Sequence, residues 1–423
     1  MRRKPSLKFA CLLIGVAAAM PAHAAPDPAL VAKAALREAP VWDGHNDVPE
    51  QLRDRRKNML EGFDFADTST TGDPVEHVAA MQTDLARLRK GHVGAQFWSV
   101  YVSAGLDEQH AVQATLEQID VTKRLIAANP DALRFATSSA DVEQAMKAGK
   151  IASLLGMEGG HSIGSSLAVL RQMYDLGARY MTLTHFRNTP WADSATDKPE
   201  HDGLTDFGRD VVREMQRIGM LVDLSHVSEA TMLDTLEVAK APVIFSHSNA
   251  RGVNGHPRNV SDQVLRRLAA NGGLVMVNFY PDYVVEPTRL WLAERDAAKA
   301  RIWSLNLGAP EQADAELAKW IAKNPKPRGA IADVADNIDH IVKIAGLDNV
   351  GLGGDFDGIE ATVEGMEDVS KYPALFTELA RRGYSKSDLE KISNRNMMRV
   401  LKAGERFAAA SRSVPPVENP TSF

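Results

Sequence analysis

Seven side chains that can bind a metal or carry a proton stand at the ends of apolar segments in this sequence. They are His45, Asp47, Glu158, His185, His226, His247 and Asp355. Each ends or follows a short run rich in β-branched or other apolar residues, which is typical of a buried strand. His45 and Asp47 are two positions apart, so an extended chain presents both on one face. That pair can hold one ion between its two side chains.

Imidazoles and carboxylates in this number predict a metal site. One histidine at a strand end more often packs in the core, and one buried glutamate is more often paired with a base. Several buried carboxylates together, however, are costly without a cation. Three histidines, an aspartate and a glutamate suffice for two divalent ions if one carboxylate bridges them, and such a pair lowers the pKa of a shared water. Nitrogen and oxygen ligands favour zinc, with manganese or cobalt as alternatives.

Eight apolar segments, each followed by a helix-like stretch, supply these strand ends. They are residues 39–44, 92–102, 151–158, 178–185, 219–226, 241–247, 272–280 and 349–358. Helical periodicity marks residues 73–90, 165–177, 204–219, 229–240 and 260–272. Alternating strands and helices imply a parallel sheet, and eight units without a glycine-rich nucleotide loop predict a (β/α)8 barrel of the TIM type. The carboxyl ends of barrel strands surround one mouth, where the seven side chains are expected to meet.

Two-residue alternation supports this placement in three of the strands. The residues expected to share a face are Leu154, Gly156 and Glu158, then Val222, Leu224 and His226, and then Val243, Phe245 and His247.

The amino-terminal residues 1–24 are predicted to be a secretory signal, with a basic head, an apolar run and small residues before the cleavage site at Ala24. The only cysteine, Cys11, lies in this signal, so the mature chain is expected to hold no disulfide. We expect an exported protein, periplasmic or secreted, without a membrane span. Its formal net charge of −6 becomes more negative without the basic signal, which argues against a nucleic-acid partner.

The rest of the chain is predicted to form a single catalytic domain over residues 25–410. Residues 285–328 are charged and helical in pattern, and are expected to form an insertion between the seventh and eighth strands. Residues 411–423 are polar and proline-rich and are expected to be disordered. The sequence leaves a homodimer open.

Several motifs, in order, resemble the membrane dipeptidase family, also called the renal dipeptidases. They are DGHNDVPEQL, GMEGGHSI, TLTHFRNTPWADS, LVDLSHVSEATM, PVIFSHSNARGVNGHPRNV, VMVNFY, GLGGDFDG and EGMEDVSKYPAL, and the resemblance spans roughly residues 39–405. It implies a (β/α)8 barrel with two zinc ions that hydrolyses dipeptides. His45 and Asp47 would hold one ion, His226 and His247 the other, and Glu158 would bridge them, with a hydroxide between the ions as nucleophile.

The same resemblance implies roles for four further residues. His185 would bond the developing oxyanion, although a fifth metal ligand or a packing residue remains an alternative. Asp355 would relay the proton and contact the substrate amine, and Asp357 could exchange roles with it. Arg258 would bind the substrate carboxylate as a two-nitrogen fork. Tyr283 is a candidate for the pocket wall.

Three other residues have simpler interpretations, and two other functions stay open. His161 is expected to be structural or to support a ligand, Glu229 to be a helix-start charge and Trp191 to pack in a loop. An amidohydrolase acting on N-acyl amino acids or β-lactam-like amides is the main alternative. A non-catalytic solute-binding or metal-storage protein is a third. The insertion that follows Tyr283 could cap the mouth and alter substrate choice.

Overall fold

A computed structural model of the chain describes residues 26–419, so the predicted signal peptide lies outside the described residues. One sheet of nine parallel strands forms the centre of the molecule. The strands are β1 Val41–Asn46, β2 Val93–Tyr101, β3 Leu133–Phe135, β4 Ile151–Glu158, β5 Ala178–Thr182, β6 Leu221–Asp223, β7 Ile244–Phe245, β8 Leu274–Val277 and β9 Val350–Leu352.

Eight of these strands close into a barrel. Neighbours pair in the order β2, β1, β9, β8, β7, β6, β5, β4, and β4 pairs again with β2. The remaining strand, β3, pairs with Ile151, Ala152 and Ser153 at the start of β4. Ala152 also pairs with β2, so β3 lies along the other edge of β4. From Leu155 onward, that edge of β4 pairs with β5 instead. The predicted (β/α)8 barrel is confirmed, and β3 is a strand that the sequence did not predict.

Helices of the following bounds alternate with the strands. They are α1 Pro28–Glu38, α2 Val48–Arg56, α3 Leu85–Lys90, α4 Glu108–Ala128, α5 Ser139–Lys147, α6 Leu167–Asp175, α7 Asp206–Ile218, α8 Glu229–Val238, α9 Asp262–Asn271, α10 Pro281–Val284, α11 Glu286–Leu305, α12 Pro310–Lys323, α13 Ile331–Ala345, α14 Tyr372–Arg381, α15 Lys386–Glu390 and α16 Asn396–Ala410. Within residues 26–419, none of them combines the length and apolarity needed to cross a bilayer.

Alternate strand residues pack in two separate apolar clusters, as the two faces of a barrel strand require. Trp42, Phe97, Leu154 and Tyr180 belong to the smaller cluster, which α16 completes with Met397, Val400 and Leu401. Their sequence neighbours Val41, Trp98, Leu155 and Met181 belong to the larger one, together with residues of the surrounding helices. The smaller cluster fills the barrel and supports the mouth from below.

Residues 73–90 differ from the predicted helix. Only Leu85–Lys90 is helical, while Asp73 and Val78 form an isolated antiparallel bridge. The helix begins where it does because the Asp84 carboxylate accepts a hydrogen bond from the Arg87 amide at 2.8 Å and caps the first turn. The apolar spacing before Asp84 therefore does not continue a helix.

The segment 285–328 contains α11 and α12, which pack as a helical pair and include the contact of Trp291 with Trp320. At the carboxyl terminus, the described part of the predicted disordered tail touches the barrel's outer layer. The Val417 amide donates to Glu214 at 3.1 Å, and the Val417 carbonyl accepts from Arg171. These contacts hold residues near 417 against α6 and α7.

Candidate active site

The carboxyl ends of the barrel strands bring the seven predicted side chains together in one buried cluster. Three overlapping groups in it place potential ligand atoms within 4.8 Å of one another and could each hold a metal ion. The groups are His45, Glu158 and His247, then Glu158, His185 and His226, and then His45, Asp47 and Asp355. No residue in these groups is more than 8% exposed.

Glu158 stands at the centre of the cluster. Its Oε2 lies 3.3 Å from Nε2 of His45, while its Oε1 lies 2.9 Å from Nε2 of His226 and 3.4 Å from Nε2 of His247. His185 Nε2 is 3.7 Å from Oε1. The two oxygens of one carboxylate therefore face two different sets of imidazoles.

Strand β4 delivers Glu158 because it is the last residue of a strand whose alternate side chains face the barrel interior. At Gly156, two residues earlier, a Cβ atom would overlap the Tyr180 ring. Glycine thus lets Tyr180 cross the barrel and place its hydroxyl 2.8 Å from Nδ1 of His45. The Ser99 hydroxyl on β2 donates to Glu158 Oε2 at 3.0 Å and fixes that carboxylate.

Two cluster residues reach the mouth through left-handed backbone. His226 has φ of 67° and Asp355 has φ of 62°, and both come three residues after a strand has ended. The predicted two-residue alternation from Val222 to His226 is wrong, because β6 ends at Asp223 and His226 lies in a turn beyond the strand. Non-glycine residues rarely adopt this conformation and tend to do so at functional sites, so the local cost is consistent with a site that needs these side chains in place.

Hydrogen bonds on the far side of two rings orient their Nε2 atoms into the cluster. Nδ1 of His45 bonds to Tyr180, and Nδ1 of His247 bonds to the Ser246 hydroxyl at 2.8 Å. Ser246 also donates to the buried Asp223 carboxylate at 2.6 Å. Supports of this kind hold a metal-binding imidazole by one nitrogen and leave the other for the ion.

The donor set fits a divalent cation, as its unpartnered atoms show. Three buried atoms have no hydrogen-bond partner among residues 26–419, namely both carboxylate oxygens of Asp47 and Nε2 of His45. The distance from Asp47 Oδ2 to His45 Nε2 is 3.3 Å. The Nε2 atoms of His226 and His247 are 2.9 Å apart. Buried ionic groups without partners cost several kcal/mol, and a shared cation removes that cost.

Protonation of three cluster residues suits metal binding, whereas His45 differs. Burial lowers the pKa of His45, but its interactions with Tyr180, Asp47 and Glu158 raise that pKa well above 6.5, so a metal ion must displace a proton there. Burial, followed by the positive charge of Arg258 among the neighbouring groups, lowers the pKa of His226 well below 6.5, and burial also lowers that of His247. Burial alone would raise the pKa of Glu158, but the surrounding imidazoles hold it well below 4.5. Neutral imidazole and ionised carboxylate are the forms that bind metals.

A cavity of about 290 Å³ opens over the cluster. Besides cluster residues it is lined by Glu50, Tyr101, Phe186, Tyr280, Tyr283, Gly358, Ile359 and Glu360. The predicted wall residue Tyr283 is among them, whereas Glu50, Tyr101 and Phe186 were missed. Glu50 had a usable signal, because it follows Asp47 by three residues and α2 presents such positions on one side.

Arg258 lies behind this cavity. Its side chain is buried, with Nη1 donating to the Ser248 hydroxyl at 2.7 Å and Nη2 to the His247 carbonyl at 3.1 Å. Its guanidinium carbon is 5.6 Å from the centre of the Tyr283 ring, while Nε has no partner among the described residues. The structure thus brings a cation next to the wall but does not place it on the cavity surface.

Asp355 and Asp357 are separated by their contacts. Asp355 lies 4.0 Å from His45 and accepts a hydrogen bond from Asn278 at 2.6 Å, within the cluster. Asp357 instead accepts from the Gln82 amide at 2.7 Å and lines a neighbouring cavity. The contacts favour Asp355 over Asp357 for a role in the cluster.

Three other residues named from the sequence lie outside the cluster. His161 bonds to the Val102 carbonyl at 2.9 Å. Glu229 is the first residue of α8 and pairs with Arg251. Trp191 is buried against Phe207.

Comparison with known proteins identifies the family. The profile of the membrane dipeptidase family, peptidase family M19, matches residues 31–414. An uncharacterized dipeptidase of Schizosaccharomyces pombe is 41% identical over 398 residues, covering 90% of this chain and 85% of the relative. Dipeptidase 3 of Macaca fascicularis is 40% identical over 392 residues, covering 92% of this chain and 70% of the relative.

Solved structures share the fold. A probable dipeptidase of Pseudomonas aeruginosa superposes with a TM-score of 0.75 at 23% identity, covering 90% of this chain and 99% of the other. A Rhodobacter sphaeroides metallopeptidase, solved with a phosphinate mimic of L-Ala-D-Ala, gives 0.69 at 23% identity, with coverage of 86% and 99%. The resemblance seen in the motifs is confirmed. The chain belongs to the membrane dipeptidase family, peptidase family M19, and is a metal-dependent dipeptidase.

Proposed function

We propose that this dipeptidase works with two zinc ions held on either side of Glu158. His45 and Asp47 would bind one ion, and His226 and His247 the other. The observation that carries the proposal is the division of the Glu158 carboxylate, with Oε2 toward His45 and Oε1 toward His226 and His247. The donors are nitrogen and oxygen atoms only, since the sole cysteine is Cys11, and this set favours zinc.

When bound, such a pair of cations makes water nucleophilic near neutral pH and polarises the scissile carbonyl. The chain's own contribution is to hold the substrate against it. His185 lines the cavity, and burial lowers its pKa to about 4, so the ring is neutral at neutral pH. A ring N–H of neutral His185 would donate to the carbonyl oxygen as negative charge develops there.

Asp355 would carry the proton from water to the leaving nitrogen and bind the substrate amine. Its carboxylate lines the cavity beside His45, and Asn278 holds one of its oxygens at 2.6 Å, leaving the other toward the cluster. A carboxylate in this position can accept a proton and release it to an amine within hydrogen-bond reach.

Arg258 would attract the substrate carboxylate from behind the Tyr283 wall. It is a buried cation whose guanidinium carbon is 5.6 Å from the Tyr283 ring, so its field acts on the cavity at short range. Recognition of both charged ends would favour substrates of two residues, because a longer peptide leaves these groups unpaired.

The test is hydrolysis of a dipeptide panel, alanyl-alanine in both configurations of the second residue included, by protein loaded with zinc. We expect turnover that a chelator abolishes and that zinc restores. N-acetylation of the substrate should abolish turnover, because the Asp355 contact needs a free amine. Faster cleavage of the N-acetyl compound, or of a β-lactam-like amide, would instead favour the alternative amidohydrolase.

Export of the protein is a second part of the proposal. It depends on the signal pattern of residues 1–24, and N-terminal sequencing of the mature protein tests it. A chain that begins at Ala25 in an extracytoplasmic fraction is the expected result, while an intact chain retained in the cytoplasm would contradict it.

A further inference from the structure

A second cavity of about 630 Å³ adjoins the cavity over the cluster. The two share Glu50, Gly358, Ile359 and Glu360 as lining residues. A Cβ atom at Gly358 would overlap the carboxylates of Asp47 and Asp355. Glycine at this position therefore lets the shared wall pack directly against the two carboxylates of the cluster.

The wall shared by the two cavities is acidic. Glu50 pairs through Oε1 with Arg53 at 3.1 Å, and no residue in 26–419 donates a hydrogen bond to its Oε2. Glu360 is exposed and forms no ion pair within the described chain. Among the described residues that line the second cavity, Arg55 is the arginine. It donates to the Gln51 side chain and to backbone carbonyls, and its charge interacts with Asp357 and Asp54. Glu360 thus has no ion-pair partner within the described chain, and Glu50 keeps one carboxylate oxygen without a donor beside its pair with Arg53.

A third acid in the second cavity is buried and incompletely bonded. Asp357 is 6% exposed, and its Oδ1 accepts from the Gln82 amide at 2.7 Å. Its Oδ2 has no hydrogen-bond partner among the described residues. A buried carboxylate oxygen left in this way favours a ligand that donates hydrogen bonds and carries positive charge.

The position of these acids assigns them to one end of the substrate. Gly358, Ile359 and Glu360 follow Asp355 closely in the chain, and Asp355 is the group that would hold the substrate amine. Tyr283, in front of Arg258, lines the first cavity but not the second. The second cavity therefore extends from the amine end of the site, where the side chain of the amino-terminal residue would point.

Resting on the proposed function, we propose that Glu50 selects dipeptides whose amino-terminal residue is arginine or lysine. The cationic head would lie between Glu50 and Glu360, with Asp357 further inside the second cavity.

The test compares arginyl-alanine with citrullyl-alanine, which has nearly the same shape but no charge. With zinc-loaded wild-type protein we expect kcat/KM to be at least about tenfold higher for arginine, mostly through KM, which corresponds to about 1.4 kcal/mol. In Glu50→Gln the ratio should fall below about threefold, mostly through a higher KM for arginyl-alanine, while zinc content stays near wild type. Glu117→Gln removes an exposed acid on α4 and should leave the ratio unchanged.

Several results would overturn the inference. Equal kcat/KM for the two substrates in wild type would do so without any variant, as would a full ratio in Glu50→Gln. A larger ratio for alanyl-arginine over alanyl-citrulline would overturn the placement at the amine end. Failure of zinc-loaded wild type to cleave any dipeptide would overturn the proposed function and this inference with it, whereas turnover without charge preference overturns the inference alone. Glu360→Gln, at an exposed position, should lower the ratio by a smaller factor.

Discussion

Two buried acids in this barrel have opposite surroundings. Glu214 on α7 accepts hydrogen bonds from Arg171, from two nitrogens of Arg217 and from the Val417 amide. Asp47 at the mouth is equally inaccessible, yet neither of its oxygens has a hydrogen-bond partner in the described chain. The protein surrounds Glu214 with arginines, whereas the base beside Asp47 is His45, whose Nε2 lies 3.3 Å away and is itself a candidate metal ligand.

The pKa of Glu214 reflects the same difference. Burial raises it, but Arg217, the Val417 amide and Arg171 together lower it by more. Around Glu158 the lowering comes from imidazoles, which are themselves metal ligands by type. Glu214 therefore stabilises the fold through its own ion pairs, whereas Glu158 belongs to a site whose ligands fit a bound metal ion.

The largest effect is expected from Glu158→Gln. It keeps the shape of the side chain but removes the charge that would be shared by two cations, so kcat/KM for a dipeptide should fall at least about a thousandfold. Bound zinc should fall in parallel, as measured by elemental analysis. Glu214→Gln is the matched control and should keep both zinc and turnover. Near-normal zinc content and activity in Glu158→Gln would remove Glu158 from the metal site.

The control variant Glu214→Gln should show its effect in the free energy of unfolding instead. Glu214→Gln breaks a buried ion pair and should lower the free energy of unfolding at pH 7 by about 3 kcal/mol, as measured by urea denaturation. The folded pKa of Glu214 is depressed, so its contribution is present above the unfolded value of about 4.3 and is lost as the pH falls through the folded value. The gap between wild type and variant should therefore close at acidic pH. A gap that widens on acidification would contradict this assignment.

A smaller effect is expected from Ser246→Ala. The change removes the hydroxyl between His247 Nδ1 and the Asp223 carboxylate, and zinc affinity should fall about 10- to 100-fold. Competition with a chelating dye measures the affinity, and the exposed Ser304→Ala is the control. If the two serine variants bind zinc alike, the hydroxyl does not support the ligand.

The smallest effect is expected from Asp47→Asn, and its sign should depend on whether metal is bound. In metal-free protein, Asp47→Asn should raise the free energy of unfolding by about 1–2 kcal/mol, because it removes one of several buried acids whose charges repel one another. In zinc-loaded protein the same change should lower it. Denaturation with and without chelator measures both signs. Destabilisation of the metal-free form would mean that the chain itself satisfies Asp47.

The mouth of the barrel was predictable from the residue types at its strand ends, and strand period placed Glu158 correctly. The face predicted for His247 was wrong, because Val243 and Phe245 pack in the larger outer cluster while Ile244 faces the barrel interior. Glu158 ends β4 on the face of Leu154, as the alternation required, and all seven predicted side chains lie in one cluster. His226 reaches it by a different route, through a left-handed residue three positions past β6, and strand parity carries no information about such a turn.

Other features had weak signals in the sequence. The strand β3 is only three residues long. The helix predicted over residues 73–90 is reduced to α3 because the Asp84 side chain caps the helix there, and apolar spacing does not reveal such a hydrogen bond. The supporting groups Tyr180 and Ser99 look like ordinary strand residues until tertiary contacts place them on His45 and Glu158. Long-range pairing of this kind becomes visible only in the folded barrel.

The most direct test of the central claim is a zinc titration of chelator-stripped protein, with bound metal and dipeptide hydrolysis recorded together. The division of Glu158 between two sets of imidazoles predicts that activity rises to a plateau at two zinc ions per chain. A plateau at one ion per chain, or full activity in protein without bound metal, would contradict it.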